Sequence, residues 1–335
     1  MPRRYFEMDA DSPAETWWRI RALRAAPPTG MPDSRRKLFV TSLEQAEQQF
    51  AAAASVGFES RALNLYYGLS QAGRAISAAL TPDGAGVSPE VSGHGLHVEL
   101  SGARSDRILD LSVRAEGGEN TSFGRLAWLL GSDSLAGGLH LRDVWNMILE
   151  VSLDAPQGSS PLPILVEKPS GAGDTFTLGM TLEEAADDAA AMKARYPDLS
   201  PAHLVSHVGN GYHVADDGTR TELARLRYAG FADALPSYRG SPVLMPACGD
   251  GRQPLDPVLA WWVMLYALSM LTRYKPAVWT DAMDVNRSPL AVPLEILLSK
   301  ALEAVPAQVL IALTLVPHPR GGRARSAEAT EADES

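Results

Sequence analysis

Apolar residues recur every three or four positions from the start of the chain, the period of helices with one buried face. Ser12, Pro13 and Glu15 have the spacing of an N-cap, a first-turn proline and the third member of a capping box. They lead into Trp17, Trp18, Ile20 and Leu23, and Pro27-Pro28 close this first helix. A second helix is predicted to open near Ser42, with Gln45 at the capping-box spacing and Leu43, Ala46, Phe50 and Ala53 on one side before Gly57. The third, residues 61–80, places Ala62, Tyr66, Leu69, Gly73, Ile76 and Leu80 on one stripe, which predicts core. A second stripe, Asn64, Tyr67, Gln71 and Arg74, carries hydrogen-bonding groups. It fits either a solvated face or a line facing a ligand or partner.

Beyond a Gly/Pro-rich turn at 81–89 the period shortens. GLHVEL and DRILDLSVRAE read as strands paired antiparallel across SGARS. Helical spacing returns at 122–131 and 139–150. SPLPILVEK and DTFTLGM read as short strands, with Gly171 and Gly173 at a turn between them. Thr181 and Glu184 open a capped helix that reaches Tyr196, and residues 203–247 follow no clear period. Asp256-Pro257 then begin a helix through Trp261, Trp262, Leu265 and Leu268 that stops before Lys275-Pro276. Helices follow at 289–304 and 306–315. The last 19 residues, 317–335, are almost devoid of apolar side chains and read as a disordered tail. The expected fold is α+β: mainly a helical bundle with a small antiparallel β patch inserted. It divides into an N-terminal helical segment (1–80), an α+β middle (81–250) and a C-terminal helical segment (251–316) that packs back on the first.

With 335 residues, 45% of them apolar, the chain can bury a large core without covalent staples. Its single cysteine, Cys248, excludes an intrachain disulfide, and in PACGDGR it reads as a small buried thiol. Thirty basic against forty acidic residues give a net charge of -10, which argues against general DNA binding. The start of the chain lacks the apolar run of a secretory signal. The longest apolar run, Val258 to Leu271, has 14 residues where a membrane span needs about 20. A cytoplasmic protein with no membrane association is expected.

The short string SGAGDTF (170–176) is similar to the GAGD signature of ribokinase-like sugar and nucleoside kinases, in which glycines wrap an anion and the aspartate acts as base. That reading would make Gly171, Gly173 and Asp174 a kinase site. The preceding Pro-Ser and the strand character of 176–180 favour a hairpin turn. His203 and His207, four apart, with His213, Asp216 and Asp217 downstream, have one helical metal-ligand spacing but no matched third ligand, so no metal site is expected.

Three spans in fixed order resemble the YaaC-like family of bacterial proteins: Arg61-Ala-Leu-Asn-Leu-Tyr-Tyr-Gly-Leu, His94-Gly95-Leu96, and Arg273-Tyr274-Lys275-Pro276 with Trp279. The resemblance extends from about residue 15 to 315 and departs at Ala62, where the family often has proline. It implies membership without a reaction or a cofactor. Residues 61–96 also resemble the HEPN superfamily, helical domains that include RNases of toxin and antiviral systems. Tyr66-Tyr67, Gly73-Arg74-Ala75 and His94-Gly95 carry that likeness. The HEPN ribonucleases use an arginine followed, after four to six residues, by histidine, and none of the seven histidines here has one. The likeness therefore implies binding and not cleavage.

These residue types suit a nucleotide-like anion. Arg61, Arg74 and Arg273 offer forked donors, Tyr67, Tyr274 and Trp279 offer stacking faces, Asn64 can read polar edges, and His94 can donate or accept. The opposing expectation is structural: Arg273 and Tyr274 end an apolar helix, where arginine can cap carbonyls and tyrosine can anchor the turn. The leading functional expectation is a pocket for a nucleotide or short RNA end in a stress or antiphage system. The alternatives are a non-catalytic interaction or assembly subunit, with a protein partner or a second copy of the chain, and, third, the kinase.

Overall fold

A computed structural model describes residues 12–82, 90–152, 163–165, 175–181, 196–197, 204–214, 220–227, 237–238, 241–248 and 254–314. The fold is α+β and mainly helical. The helices are α1 (Pro13–Ala25), α2 (Asp33–Ser55), α3 (Phe58–Leu80), α4 (Ser122–Leu130), α5 (Leu141–Met147), α6 (Pro257–Tyr274), α7 (Pro276–Met283) and α8 (Ala291–Thr314). A three-stranded antiparallel sheet, β1 (Leu96–Val98), β2 (Ser112–Ala115) and β3 (Leu139–His140), sits among them.

The middle of the chain adds β4 (Ile164–Leu165), β5 (Thr175–Thr181), β6 (Leu204–Val214), β7 (Arg220–Arg227), β8 (Ser237–Tyr238) and β9 (Ser241–Leu244). The strand orders are β4-β9-β8 and β5-β7-β6, with antiparallel pairing throughout.

Helix α3 is the centre of the bundle and packs against α2, α4, α6, α7 and α8. Its apolar stripe is buried as its spacing predicts, Ala62, Tyr66, Leu69, Gly73, Ile76 and Leu80 included. The helix also approaches two neighbours closely through glycines. A Cβ at Gly68 would lie 2.7 Å from the Phe50 ring of α2, and one at Gly73 would lie 2.4 Å from the Trp262 ring of α6. Each end of the α2–α3 pair is closed by an arginine from the other helix. Arg61 donates to the carbonyls of Ala53 (3.0 Å) and Val56 (3.1 Å) at the end of α2, and Arg35 donates to those of Ala78 and Thr81 at the end of α3. Charged donors at the carbonyl-rich end of a helix satisfy acceptors that the helix itself leaves open.

Several expectations change. Helix α2 begins at Asp33 and not near Ser42, because Phe39 and Leu43 are both buried and Arg35 is engaged with α3; Pro32, at the N-cap, offers no side-chain cap to read. Residues 106–110, expected as part of a strand, lie in a 3₁₀ turn over 105–110, and only 113–115 pair with β1. The strands at 164–165 and 175–181 do not form a hairpin with each other: β4 pairs with β9 and β5 with β7. Thr181, expected to open a helix, is the last residue of β5 and pairs with Thr221. The antiparallel sheets also differ from the parallel sheet that a ribokinase-like site requires. His207 and His213 lie in strand β6, where a four-residue helical spacing has no meaning. Gly171, Gly173, Asp174, His203, Asp216, Asp217, the helical span expected at 182–195 with its Glu184, and the tail 317–335 lie outside the described residues.

The two helices expected at 289–304 and 306–315 are one, α8, with Pro306 inside it. A proline within a helix costs about 3 kcal/mol. Burial of Ala301, Val305, Val309, Leu310 and Leu313 along the same rod offsets that loss. Among the described residues, α8 is the one helix long and apolar enough to cross a membrane, with 67% of its apolar window buried inside the fold. Its contacts with α1, α3 and α6 are those of a core helix.

Replacing Gly73 by alanine should force Trp262 or Leu126 to move, and overpacking of this kind destabilises by about 1–3 kcal/mol. A chemical-denaturation midpoint lowered by that amount, with an unchanged slope, is the expected result.

Candidate functional site

The His94 corner is held from several sides. Gly93 and Gly95 flank it at φ of +63° and +80°, a left-handed conformation natural to glycine. At Gly95 there is also no space, since a Cβ would fall 2.3 Å from the Thr121 hydroxyl. The loop is pinned to the start of α4: Phe123 N–H donates to the His94 carbonyl (3.2 Å), and the Ser122 hydroxyl donates to that of Gly93 (2.7 Å). The Glu116 N–H donates to the carbonyl of Gly95 (3.0 Å). The histidine backbone is thus fixed while its side chain remains exposed.

The ring of His94 lies against the bundle's aromatic side chains. Its Nδ1 is 2.8 Å from the Tyr66 hydroxyl, and its ring centroid is 5.5 Å from that of Tyr66 and 5.8 Å from that of Tyr266. Tyr66 packs edge-on to both Trp262 and Tyr266, while Tyr67 is tilted against it at 6.2 Å. The Tyr266 hydroxyl donates to the Leu96 carbonyl (2.7 Å), which ties α6 to β1 beside the histidine. The shelf is therefore built by α3, α6 and the loop before β1.

Its electrostatics are uneven. Burial, and then the cations of Arg273 and Arg74, hold the His94 imidazole below its ordinary pKa of 6.5. Burial, and then the phenols of Tyr266 and Tyr67, hold Tyr66 well above the usual phenol range. Burial and then the Glu116 carboxylate do the same for Tyr266. Arg74 and Arg273 are both exposed, and Arg273 donates to the Tyr274 hydroxyl (3.1 Å) with its guanidinium 5.0 Å from that ring. Tyr274 itself is 56% exposed. The corner offers two cations, an imidazole and an open aromatic face.

The residues predicted from the sequence divide into two sets. Arg74 and Arg273 each act on the charge of His94, Tyr67 lies beside Tyr66, and Tyr274 lies beside Arg273. Arg61 and Trp279 are engaged elsewhere. Arg61 caps α2 and stacks over Phe58 at 4.2 Å, and the buried Trp279 donates its indole N–H to the Glu59 carbonyl (2.9 Å), fixing α7 on the start of α3. Asn64 bonds back to the Ser60 carbonyl at 3.3 Å. At the end of α6 the polar contact of Arg273 is with Tyr274, its neighbour in the chain.

Two residues of the shelf that the sequence did not single out are Tyr266 and Glu116. Tyr66 appeared there as core and in the tyrosine pair of the family resemblance, not as a site residue. The spacing of Tyr266, four after Trp262 on the same helix, is the signal that could have joined it to the aromatic stack. Cys248 is fully buried and burial pushes its thiol upward, so it is an inert core thiol. Among the described residues no group of three or more histidine, cysteine, aspartate or glutamate side chains is arranged to hold a metal ion.

Comparison with known proteins gives a family. The model described as YaaC-like Protein matches residues 27–313. No curated protein and no solved structure matches the chain.

Arg61→Ala should lower stability by about 1–3 kcal/mol, since it leaves the carbonyls of Ala53 and Val56 without their charged donor. A melting experiment checks this, and the His94 corner should keep its ligand response in the variant.

Proposed function

Because the match over residues 27–313 covers most of the chain, the protein belongs to the YaaC-like family, and we propose that its His94 shelf binds a nucleotide or a short RNA end. What supports this reading is that two exposed arginines, Arg74 and Arg273, both disfavour a charge on one exposed histidine, in a chain whose net charge is -10. Two like charges repel, and an acidic protein has carboxylates enough to neutralise them. Yet among the described residues neither guanidinium pairs with a carboxylate. An anion bound between them would relieve that repulsion, and arginine's planar fork suits a phosphate.

The open ring of Tyr274 supplies the second half of nucleotide recognition. Base–aromatic stacking is worth about 1–3 kcal/mol per base and tolerates any base identity. The likeness of residues 61–96 to HEPN domains favours a nucleotide or RNA ligand in a cytoplasmic stress or antiphage system. The missing arginine–histidine spacing favours binding over cleavage. The assembly-subunit alternative would use the same stripe as an interface, but two exposed guanidinium groups with no carboxylate partner among the described residues favour an anion over a protein face.

A thermal-shift screen against nucleotides tests the proposal. A ligand at 100 times its dissociation constant should stabilise the fold by about 2.7 kcal/mol. Arg273→Ala and Arg74→Ala should each abolish the response while leaving the unliganded melting temperature within about a degree or two, as surface substitutions do. A response that survives both substitutions counts against the shelf as the site.

A further inference from the structure

We propose that Tyr66 is a positioning residue that fixes His94 as its Nε2–H tautomer, so that the exposed edge of the imidazole is a hydrogen-bond donor and selects a ligand oxygen, phosphoryl or carbonyl, at that place. The choice of ligand rests on the nucleotide reading above, and the tautomer stands without it.

The geometry begins at the 2.8 Å contact between the Tyr66 hydroxyl and His94 Nδ1. Tyr66 is 2% exposed, so water does not compete for its hydroxyl. Two of its ring neighbours offer it no acceptor. Trp262, edge-on at 6.0 Å, carries an indole N–H, which only donates. Tyr266, at 5.5 Å, has its hydroxyl turned to the Leu96 carbonyl at 2.7 Å. A neutral phenol whose acceptor is Nδ1 donates to it, which makes Nδ1 the bare nitrogen and puts the imidazole's own proton on Nε2.

The loop holds the ring in that register. The carbonyls of Gly93, His94 and Gly95 are taken by the Ser122 hydroxyl and by the N–H groups of Phe123 and Glu116. The ring itself lies against Tyr66 at 5.5 Å and Tyr266 at 5.8 Å between centroids. Turning the imidazole over would set a C–H where Nδ1 now accepts, and the buried hydroxyl would lose its partner. Moving the proton to Nδ1 would set two hydrogens in the same 2.8 Å contact. Either change loses a buried hydrogen bond, which favours the Nε2–H form by about tenfold or more. Partial burial also holds the ring below its ordinary pKa of 6.5, so it is neutral slightly above neutral pH.

A bare Nε2 would accept a proton or coordinate a metal, whereas an N–H does neither. The shelf therefore presents one neutral donor whose backbone is fixed. Its complement is a ligand atom with a lone pair and no hydrogen. Phosphoryl oxygens and base carbonyls meet that requirement, and amino groups do not. His94 is thus a recognition group and not a general base.

Long-range proton–nitrogen correlation spectra of the full chain, labelled at histidine and recorded at about pH 7.5, test the tautomer, with His94→Gln identifying the His94 signals. A pyridine-type Nδ1 and a protonated, pyrrole-type Nε2 are expected. The reverse pattern, or the averaged pattern of a free imidazole, would overturn the proposal. Tyr66→Phe keeps the ring and removes the hydroxyl, and should move His94 to the averaged pattern. An unchanged pattern would show that Tyr66 does not set the tautomer, and if the variant fails to fold the parent spectrum decides alone.

Calorimetry with GMP, guanosine and inorganic phosphate tests the ligand half. His94→Gln, which keeps a neutral N–H, should hold GMP affinity within about threefold, whereas His94→Ala should lose about tenfold or more. Equal losses in the two variants would refute the donor role. Guanosine that binds more weakly to His94→Ala assigns the oxygen to the base, and phosphate that does so assigns it to the phosphoryl group. Binding of none of the three would end the nucleotide reading and the ligand half with it, while the tautomer is judged by the spectra.

Discussion

The contact between Gly73 and Trp262 sets the geometry of everything around it. Because position 73 has no side chain, α6 can lie so near α3 that any Cβ there would overlap the indole. That closeness brings Tyr266 to Tyr66, with ring centroids 5.5 Å apart, and puts both against His94. Arg273 lies seven residues, about two turns, beyond Tyr266 on the same helix. A wider helix pair would separate the two tyrosines. Packing of apolar surface thus positions the aromatic rings that meet the exposed histidine.

The corner illustrates two uses of arginine in one small region. Arg61 and Arg35 are spent on helix ends, where their forks satisfy carbonyls at both ends of the α2–α3 pair. Arg74 and Arg273 have no such duty and stay exposed. The difference comes from position along the helix. Arg61 lies in the first turn of α3, within reach of the chain end it follows, while Arg74 lies well inside the same helix, where the backbone carbonyls are already bonded. An arginine in the second situation has only solvent, a carboxylate or an external anion to serve.

Local signals in the sequence were legible. Ser12 and Glu15 form the capping box they predict, Asp256 caps α6, and the apolar stripe of α3 is buried. Signals that depend on distant partners were not. The start of α2 lacks a side-chain cap, and the partners of β4 and β5 lie tens of residues away, where spacing carries no information. The site divides in the same manner. Arg74, His94 and Arg273 could be chosen by residue type. Whether Arg61 and Trp279 faced a ligand or a neighbouring carbonyl depended on contacts with Ala53, Val56 and Glu59, and residue type is the same in both cases. Tyr66 read as core because it is core, yet its hydroxyl reaches the exposed histidine.

The acidity of the chain bears on the size of ligand such a corner can take. At physiological ionic strength charges are screened beyond about 8 Å. A phosphate bound at the shelf as proposed would therefore respond mainly to the cations beside it and little to the net charge of -10. A long nucleic acid is different, because each further phosphate laid on the surface meets its own local field, and favourable binding needs a basic residue for nearly every one. On the proposed reading, two exposed guanidinium groups would suit one phosphate and not an extended backbone. The proposed ligand is accordingly the end of a chain or a single nucleotide and not a long nucleic acid.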